Sequence, residues 1–149
     1  MDVDDFKSVN DTRGHAAGDE LLRAIAGRLN NTVSAKDMIA RLGGDEFVVV
    51  VHNADSNQAK MMANRIIHSI REPYDIFGHA LSRSCSIGIA TSGPNSESGS
   101  ILRQADLALY RAKSSGRNRY EVYDEQTMVE VDQHYRGSTH ITERRSEQT

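Results

Sequence analysis

The chain has 149 residues, 38% of them apolar and 26% charged, with a formal net charge of −3; that is the size and mixture of one ordinary globular domain with its own core. Six acids and three bases lie from Asp124 onward, which leaves 15 of each in residues 1–123, so the main body lacks the basic excess of a nucleic-acid footprint. The longest apolar run, Phe47 to Val51, is too short to cross a bilayer, the acidic opening "MDVDDFK" lacks a signal peptide's apolar region, and the lone Cys85 can form no internal bridge; the expectation is a cytoplasmic domain.

In chain order, "MDVDDF" reads as the last residues of a strand. "GDELLRAIAGRLNNTV" predicts a helix with Leu22, Ile25, Ala26 and Leu29 on one face and Asp19 and Glu20 in a favourable first turn. "DMIARL" and "EFVVVVH" flank Gly43-Gly44 and predict two strands joined by a tight glycine turn. The valine run predicts a buried strand. "SNQAKMMANRIIHSI" predicts a second helix, capped by Asp55 or Ser56 and stopped by Pro73. Ala59, Met62, Ala63, Ile66 and Ile70 face inward, and Met61 and Met62 serve as core filler.

A second hairpin is expected around "DIFGHALSRSCSIGIA", with Leu81, Cys85, Ile87 and Ile89 alternating along its return strand. "TSGPNSESGS" is a polar loop. "ILRQADLALYRAKSSG" predicts a third helix, buried through Ile101, Ala105, Ala108, Leu109 and Ala112, with Gly116 just past its end. "RYEVY" is a short final strand. The order β-α-β-β-α-β-β-α-β is an α+β pattern on a central antiparallel sheet with packed helices, with no internal repeat. Residues 1–123 form the expected domain. Residues 124–149 read as a linker or disordered tail, in which His134 and His140 are solvated bystanders.

Three acidic clusters carry the candidate chemistry: Asp2, Asp4 and Asp5; Asp45 and Glu46; and Asp11 with Asp19. A calcium-binding EF-hand loop is excluded for the first, because Lys7 stands where glycine is needed and Arg13 where the bidentate glutamate is needed. In a ferredoxin-like sheet the opening strand lies beside the hairpin, which brings Asp2 near Asp45. Two facing carboxylates suit Mg²⁺, which completes its octahedron from water and phosphate oxygens. Gly43-Gly44 lets backbone approach a ligand closely, although a glycine pair alone is more often just a turn. Lys7, Lys113 and Arg117 could neutralise a triphosphate, yet cations at helix C-termini also serve as dipole partners. Asn10 and Asp19 offer an amide and a carboxylate suited to a guanine edge.

The chain resembles the GGDEF domain of bacterial diguanylate cyclases. The signature stands intact at Gly43-Gly44-Asp45-Glu46-Phe47, flanked by "DVDDFKSVNDTRGHAAGDELL", "SIGIA" and "ADLALYRAKSSGRNRY" in the family's order and at about its spacing. The resemblance covers residues 1–123 and implies a nucleotidyl-cyclase-type sheet. It implies condensation of two GTP into cyclic di-GMP with loss of two pyrophosphates, across a homodimer in which each 3′-hydroxyl attacks the other α-phosphate. Asp2, the Val3 carbonyl, Asp45 and Glu46 match the family's Mg²⁺ (or Mn²⁺) site, and Asp45 its candidate general base. Asn10 and Asp19 match the guanine-reading pair. Lys7, Lys113 and Arg117, with backbone amides near Asp5 and Phe6, match phosphate contacts.

Two departures stand out. The family's inhibitory product site, R-x-x-D, is "SAKD" here: Ser34 replaces the arginine and Asp37 remains. Serine cannot supply an arginine fork, so product inhibition at this site is expected to be weak or absent. Family domains also begin some thirty residues earlier, so the chain reads as a fragment with unpaired backbone and uncovered apolar surface; the resemblance implies a parent with a sensor and, as in many relatives, a phosphodiesterase domain. The competing reading is a catalytically silent GTP-binding regulatory module. A nucleotidyl cyclase or polymerase-like protein using another base shares the two-carboxylate logic.

Overall fold

The computed structural model describes residues 1–94 and 96–126. The expected tail from 127 onward, with His134 and His140, lies outside them. The elements run β1 (Asp2–Val3), α1 (Phe6–Arg13), α2 (His15–Thr32), β2 (Met38–Gly43), β3 (Glu46–Val50), α3 (Ser56–Arg71), β4 (Tyr74–Ile76), β5 (His79–Leu81), β6 (Cys85–Ile89), α4 (Ser98–Ser114) and β7 (Tyr120–Val122). The central sheet has the order β2-β3-β1-β6-β7. Its pairs are antiparallel except β6–β7, which is parallel.

Period-2 alternation sorts the sheet residues onto two faces. Val3, Phe47, Cys85 and Ile87 point to one face, where they meet Leu21, Ile25 and Leu29 of α2 and Ile66 and Ile70 of α3 in one buried cluster. Each fully buried Leu or Ile there contributes about 1.5–3 kcal/mol of transfer free energy. On the other face α4 lies against β6. Gly88 makes that contact possible, since a Cβ there would stand 2.0 Å from the Ala105 carbonyl and 2.4 Å from the Leu109 nitrogen.

Several expectations are corrected. Gly14, at φ 84°, splits the first helical region into α1 and α2, so α2 starts at His15 and Asp19 and Glu20 fall beyond its first turn. The expected single return strand is two: Leu81 pairs in the separate β4–β5 hairpin, while Cys85–Ile89 cross the central sheet. The valines of β3 lie near the sheet edge and are not buried; Val50 is 42% exposed beside its partner Met38 at 55%. Met61 is 65% exposed, hence not core filler. In α4, Ile101 and Ala105 are only half-buried, and Leu107 is buried in their place.

Other local signals act as expected. Asp55 caps α3 in a reciprocal capping box with Gln58. Gly116, at φ 109°, follows the end of α4. Among the described residues no helix is long and apolar enough to cross a membrane.

Candidate active site

Strand β1 sits at the middle of the sheet between β3 and β6, and this places the first acids. Asp2 lies opposite Glu46 on one side and Ser86 on the other. The hairpin β2–β3 turns through Gly44 and Asp45. Gly44 takes φ 49°, a left-handed conformation glycine adopts without cost, and neither Gly43 nor Gly44 has an atom within 4 Å of where a Cβ would stand. The turn is therefore open on the side where a ligand could approach. Its backbone is fixed by Arg41, whose Nε donates to the Gly44 carbonyl at 2.8 Å, and by the Val3 amide, which donates to the Asp45 carbonyl at 3.3 Å.

Asp2 is 8% exposed, and burial raises its carboxyl above the ordinary carboxylate range. Lys113, in the last turn of α4, opposes that shift through a 2.9 Å contact from Nζ to Oδ2, while the nearby Asp45 charge adds to it. Two acids and one ammonium thus meet where β1, the hairpin and the end of α4 converge. Among the described residues no cage of three or more His, Cys, Asp or Glu is present. One buried and one half-buried carboxylate beside an open turn leave room for water and substrate oxygens, as Mg²⁺ requires. Glu46 is exposed beside them.

Asp4 and Asp5, grouped with Asp2 in the sequence, diverge from it. Asp4 is buried and accepts hydrogen bonds from Ser84 and Ser86. Asp5 is exposed and starts α1 at φ 53°, where the amides of a first helical turn have no intrahelical acceptor. Phe6 is half-buried against the core, and Lys7 is exposed on α1. Arg117 is exposed in the turn after α4, at φ 61°.

The helix break at Gly14 folds α1 against α2 and seats Asn10 against Gly18. A Cβ on Gly18 would lie 1.9 Å from Asn10 Oδ1. That oxygen is buried and without a hydrogen-bond partner. An orphaned buried acceptor costs about 1–3 kcal/mol, and Tyr74 Oη and Arg83 Nε are in the same state among the described residues. Asp19 borders a cleft of about 460 Å³ with Leu22, Ala26, Ile39, Arg41 and Phe47 in its walls. Arg23 and Asn30 also line it, so its wall is half polar, and Asn10 is not part of that lining; a mixed wall with a carboxylate suits a planar heterocycle with N–H donors. Asp11 is exposed on α1.

Arg41 and Leu22 belong to this region, although the sequence reading gave neither a role. The signal for Arg41 was its place two residues before Gly43. Leu22 looked like any other core leucine. Asp37, expected from the resemblance to mark a degenerate product site, is already engaged: it accepts the amides of Ser34 at 3.0 Å and His52 at 3.1 Å. Those amide contacts, the His52 one first, hold its carboxyl below the ordinary range.

The chain is similar to known proteins in both sequence and fold. The family described as "Diguanylate cyclase, GGDEF domain" matches residues 1–119. The bifunctional diguanylate cyclase/cyclic di-GMP phosphodiesterase MucR of Pseudomonas aeruginosa is 44% identical over 121 residues, covering 80% of this chain and 18% of MucR. The cyclic di-GMP phosphodiesterase PdeR of Escherichia coli is 40% identical over 124 residues, 83% of this chain and 19% of PdeR. The chain thus spans about a fifth of the curated relatives it matches. Among solved structures, the GGDEF domain of TpbB (YfiN) from Pseudomonas aeruginosa superposes with a TM-score of 0.78 at 38% identity, covering 83% of this chain and 73% of that one.

Proposed function

The chain belongs to the diguanylate cyclase GGDEF domain family, and from that premise we propose that it condenses two GTP into cyclic di-GMP and two pyrophosphates. The observation that carries the reading is the corner where buried Asp2 meets Asp45 and the Lys113 ammonium. That corner concentrates negative charge for a cation and positive charge for phosphate.

Asp2, Asp45 and Glu46, with the Val3 carbonyl, would hold Mg²⁺ or Mn²⁺, which supplies charge neutralisation at the triphosphate. Lys7, Lys113 and Arg117 bind the remaining phosphate oxygens, with the amides at the start of α1. Asn10 and Asp19 read the guanine edge. The reaction needs two domains face to face. The 3′-hydroxyl of one GTP forms a bond to the α-phosphorus of the other, the bond to the β-phosphate oxygen breaks, and pyrophosphate leaves. Asp45 accepts the hydroxyl proton. The same step in the opposite sense closes the ring.

Residues 1–123 are read as the catalytic domain, cytoplasmic, of a protein that carries a sensor, with a phosphodiesterase domain as in the bifunctional relative MucR the further expectation. A silent GTP-binding module is the second reading, favoured by relatives such as PdeR that are named for the opposite activity. The test is incubation with GTP and Mg²⁺, followed by mass spectrometry for cyclic di-GMP, with Asp45→Ala alongside. Product that vanishes in the variant supports the cyclase. GTP binding in a thermal-shift assay without product moves the reading to the silent module.

A further inference from the structure

The Asp4 carboxylate is 4% exposed, and among the described residues no basic side chain pairs with it. Three donors satisfy it instead. Ser86 Oγ donates to Oδ1 at 2.7 Å, Ser84 Oγ to Oδ2 at 2.6 Å, and the Asn118 backbone amide to Oδ2 at 3.0 Å. Both serines lie on the β6 side of the opening strand, Ser86 within β6 and Ser84 just before it. Asn118 is far away in sequence, in the turn that follows α4.

That turn is unusual. Arg117 and Asn118 are consecutive non-glycine residues at φ 61° and 50°, a conformation that costs Arg117 about 1–2 kcal/mol and that Asn118 adopts more readily. Such a turn persists only where its surroundings over-determine it. Here the Arg117 amide donates to the Ala112 carbonyl at 3.0 Å, and the Arg119 carbonyl accepts from the Ile87 amide at 2.9 Å. Those bonds fix its two ends. Asp4 fixes its middle.

We propose that Asp4 is a positioning residue for phosphate recognition: its buried carboxylate holds the Arg117–Asn118 turn in the conformation that presents the Arg117 guanidinium to the substrate's phosphates. This rests on the reading under Proposed function. The opening segment then sets a cation on each side of the end of α4, Lys113 in its last turn through Asp2 and Arg117 just past it through Asp4. A carboxylate that merely sealed the sheet would be satisfied by the two serines and would have no need of a strained turn.

The test is a double-mutant cycle on the full chain. GTP and guanosine affinities are measured with Mg²⁺ for the unaltered chain, Asp4→Asn, Arg117→Ala and the double variant. Asp4→Asn is expected to weaken GTP about tenfold, as loss of a charge-assisted hydrogen bond does, to spare guanosine, and to add nothing in the Arg117→Ala background. Hydrogen exchange at the Asn118 amide is expected to quicken in the same variant. Equal loss for GTP and guanosine, additive loss in the double variant, or no loss overturns the assignment. If Asp4→Asn does not fold, Ser86→Ala enters the cycle with the same expectation in smaller degree. An unaltered chain that fails to bind GTP overturns the cyclase reading and this one with it; GTP binding with an additive cycle overturns this one alone.

Discussion

Asn10 and Gly18 share a space that admits no side chain at position 18: a Cβ there would lie 1.9 Å from Asn10 Oδ1 and 3.1 Å from the Phe6 ring. In an ordinary helix interior, glycine to alanine stabilises by about 0.5–1 kcal/mol. Here that gain is offset, because the Asn10 amide must turn away to make room. Gly18→Ala is therefore expected to leave stability within about 1 kcal/mol of the unaltered chain while lowering the preference for GTP over ATP. Thermal shift with each nucleotide reads both effects. Unaltered GTP preference would show that Asn10 does not face the base.

Asp2 gives a prediction about pH. Burial is the largest influence on its carboxyl and raises it above the ordinary 3.8, so the folded state holds this proton more tightly than the unfolded chain. Stability from this group is therefore present at acid pH and falls as pH rises through 3.8 to the raised folded value. Asp2→Asn escapes that loss. In chelator, its melting temperature relative to the unaltered chain should climb from acid to neutral pH. Added Mg²⁺ should favour the unaltered chain only. A difference that is flat with pH would remove burial as the dominant cause.

The sequence made the site's chemistry legible better than its architecture. Gly43-Gly44-Asp45-Glu46 declared a hairpin with acids at its turn, because glycine conformation and strand pattern are local signals. The cap of α3 was legible as Asp55 or Ser56 for the same reason, and the structure settles it on Asp55 with Gln58 as its reciprocal partner. Helix α1 was missed: the expected helix began at Gly18, and residues 6–13 show too weak an apolar period to declare one before packing seats Asn10 against α2. Leu81 and Cys85 share an alternation but not a sheet, since period-2 spacing says which face a residue takes and not which strand it pairs with. Asp4 was visible only as one acid among three. Its partners, Ser84, Ser86 and Asn118, lie more than 75 residues away by the shortest path, where no local pattern could point to them.

Asp37 is expected to act on stability and not on product control. Its two backbone donors lower its carboxyl below the usual 3.8, so its contribution is present above the unfolded pKa and is lost as pH falls below 3.8 through the depressed folded value. Asp37→Ala should lower the melting temperature at neutral pH, with the gap closing in acid. Titration with cyclic di-GMP should look alike for the variant and the unaltered chain, because Ser34 offers no guanidinium to hold it. Tight product binding lost in the variant would refute this.

Gly88 ties the sheet to the cations. Its backbone lies so close to α4 that a Cβ would stand 2.0 Å from the Ala105 carbonyl and 2.4 Å from the Leu109 nitrogen. Both are helix backbone, so no flexible side chain can yield; either α4 lifts or β6 bends. Overpacking of this kind costs about 1–3 kcal/mol, and Gly88→Ala should lower the urea midpoint accordingly. Any lift of α4 also moves Lys113 from its 2.9 Å contact with Asp2, so GTP affinity should fall even under conditions where the variant is fully folded. Far-ultraviolet circular dichroism during denaturation gives the first quantity, and nucleotide titration of the folded variant gives the second. A stable variant with full GTP affinity would mean that α4 can slide along β6 without disturbing the phosphate end.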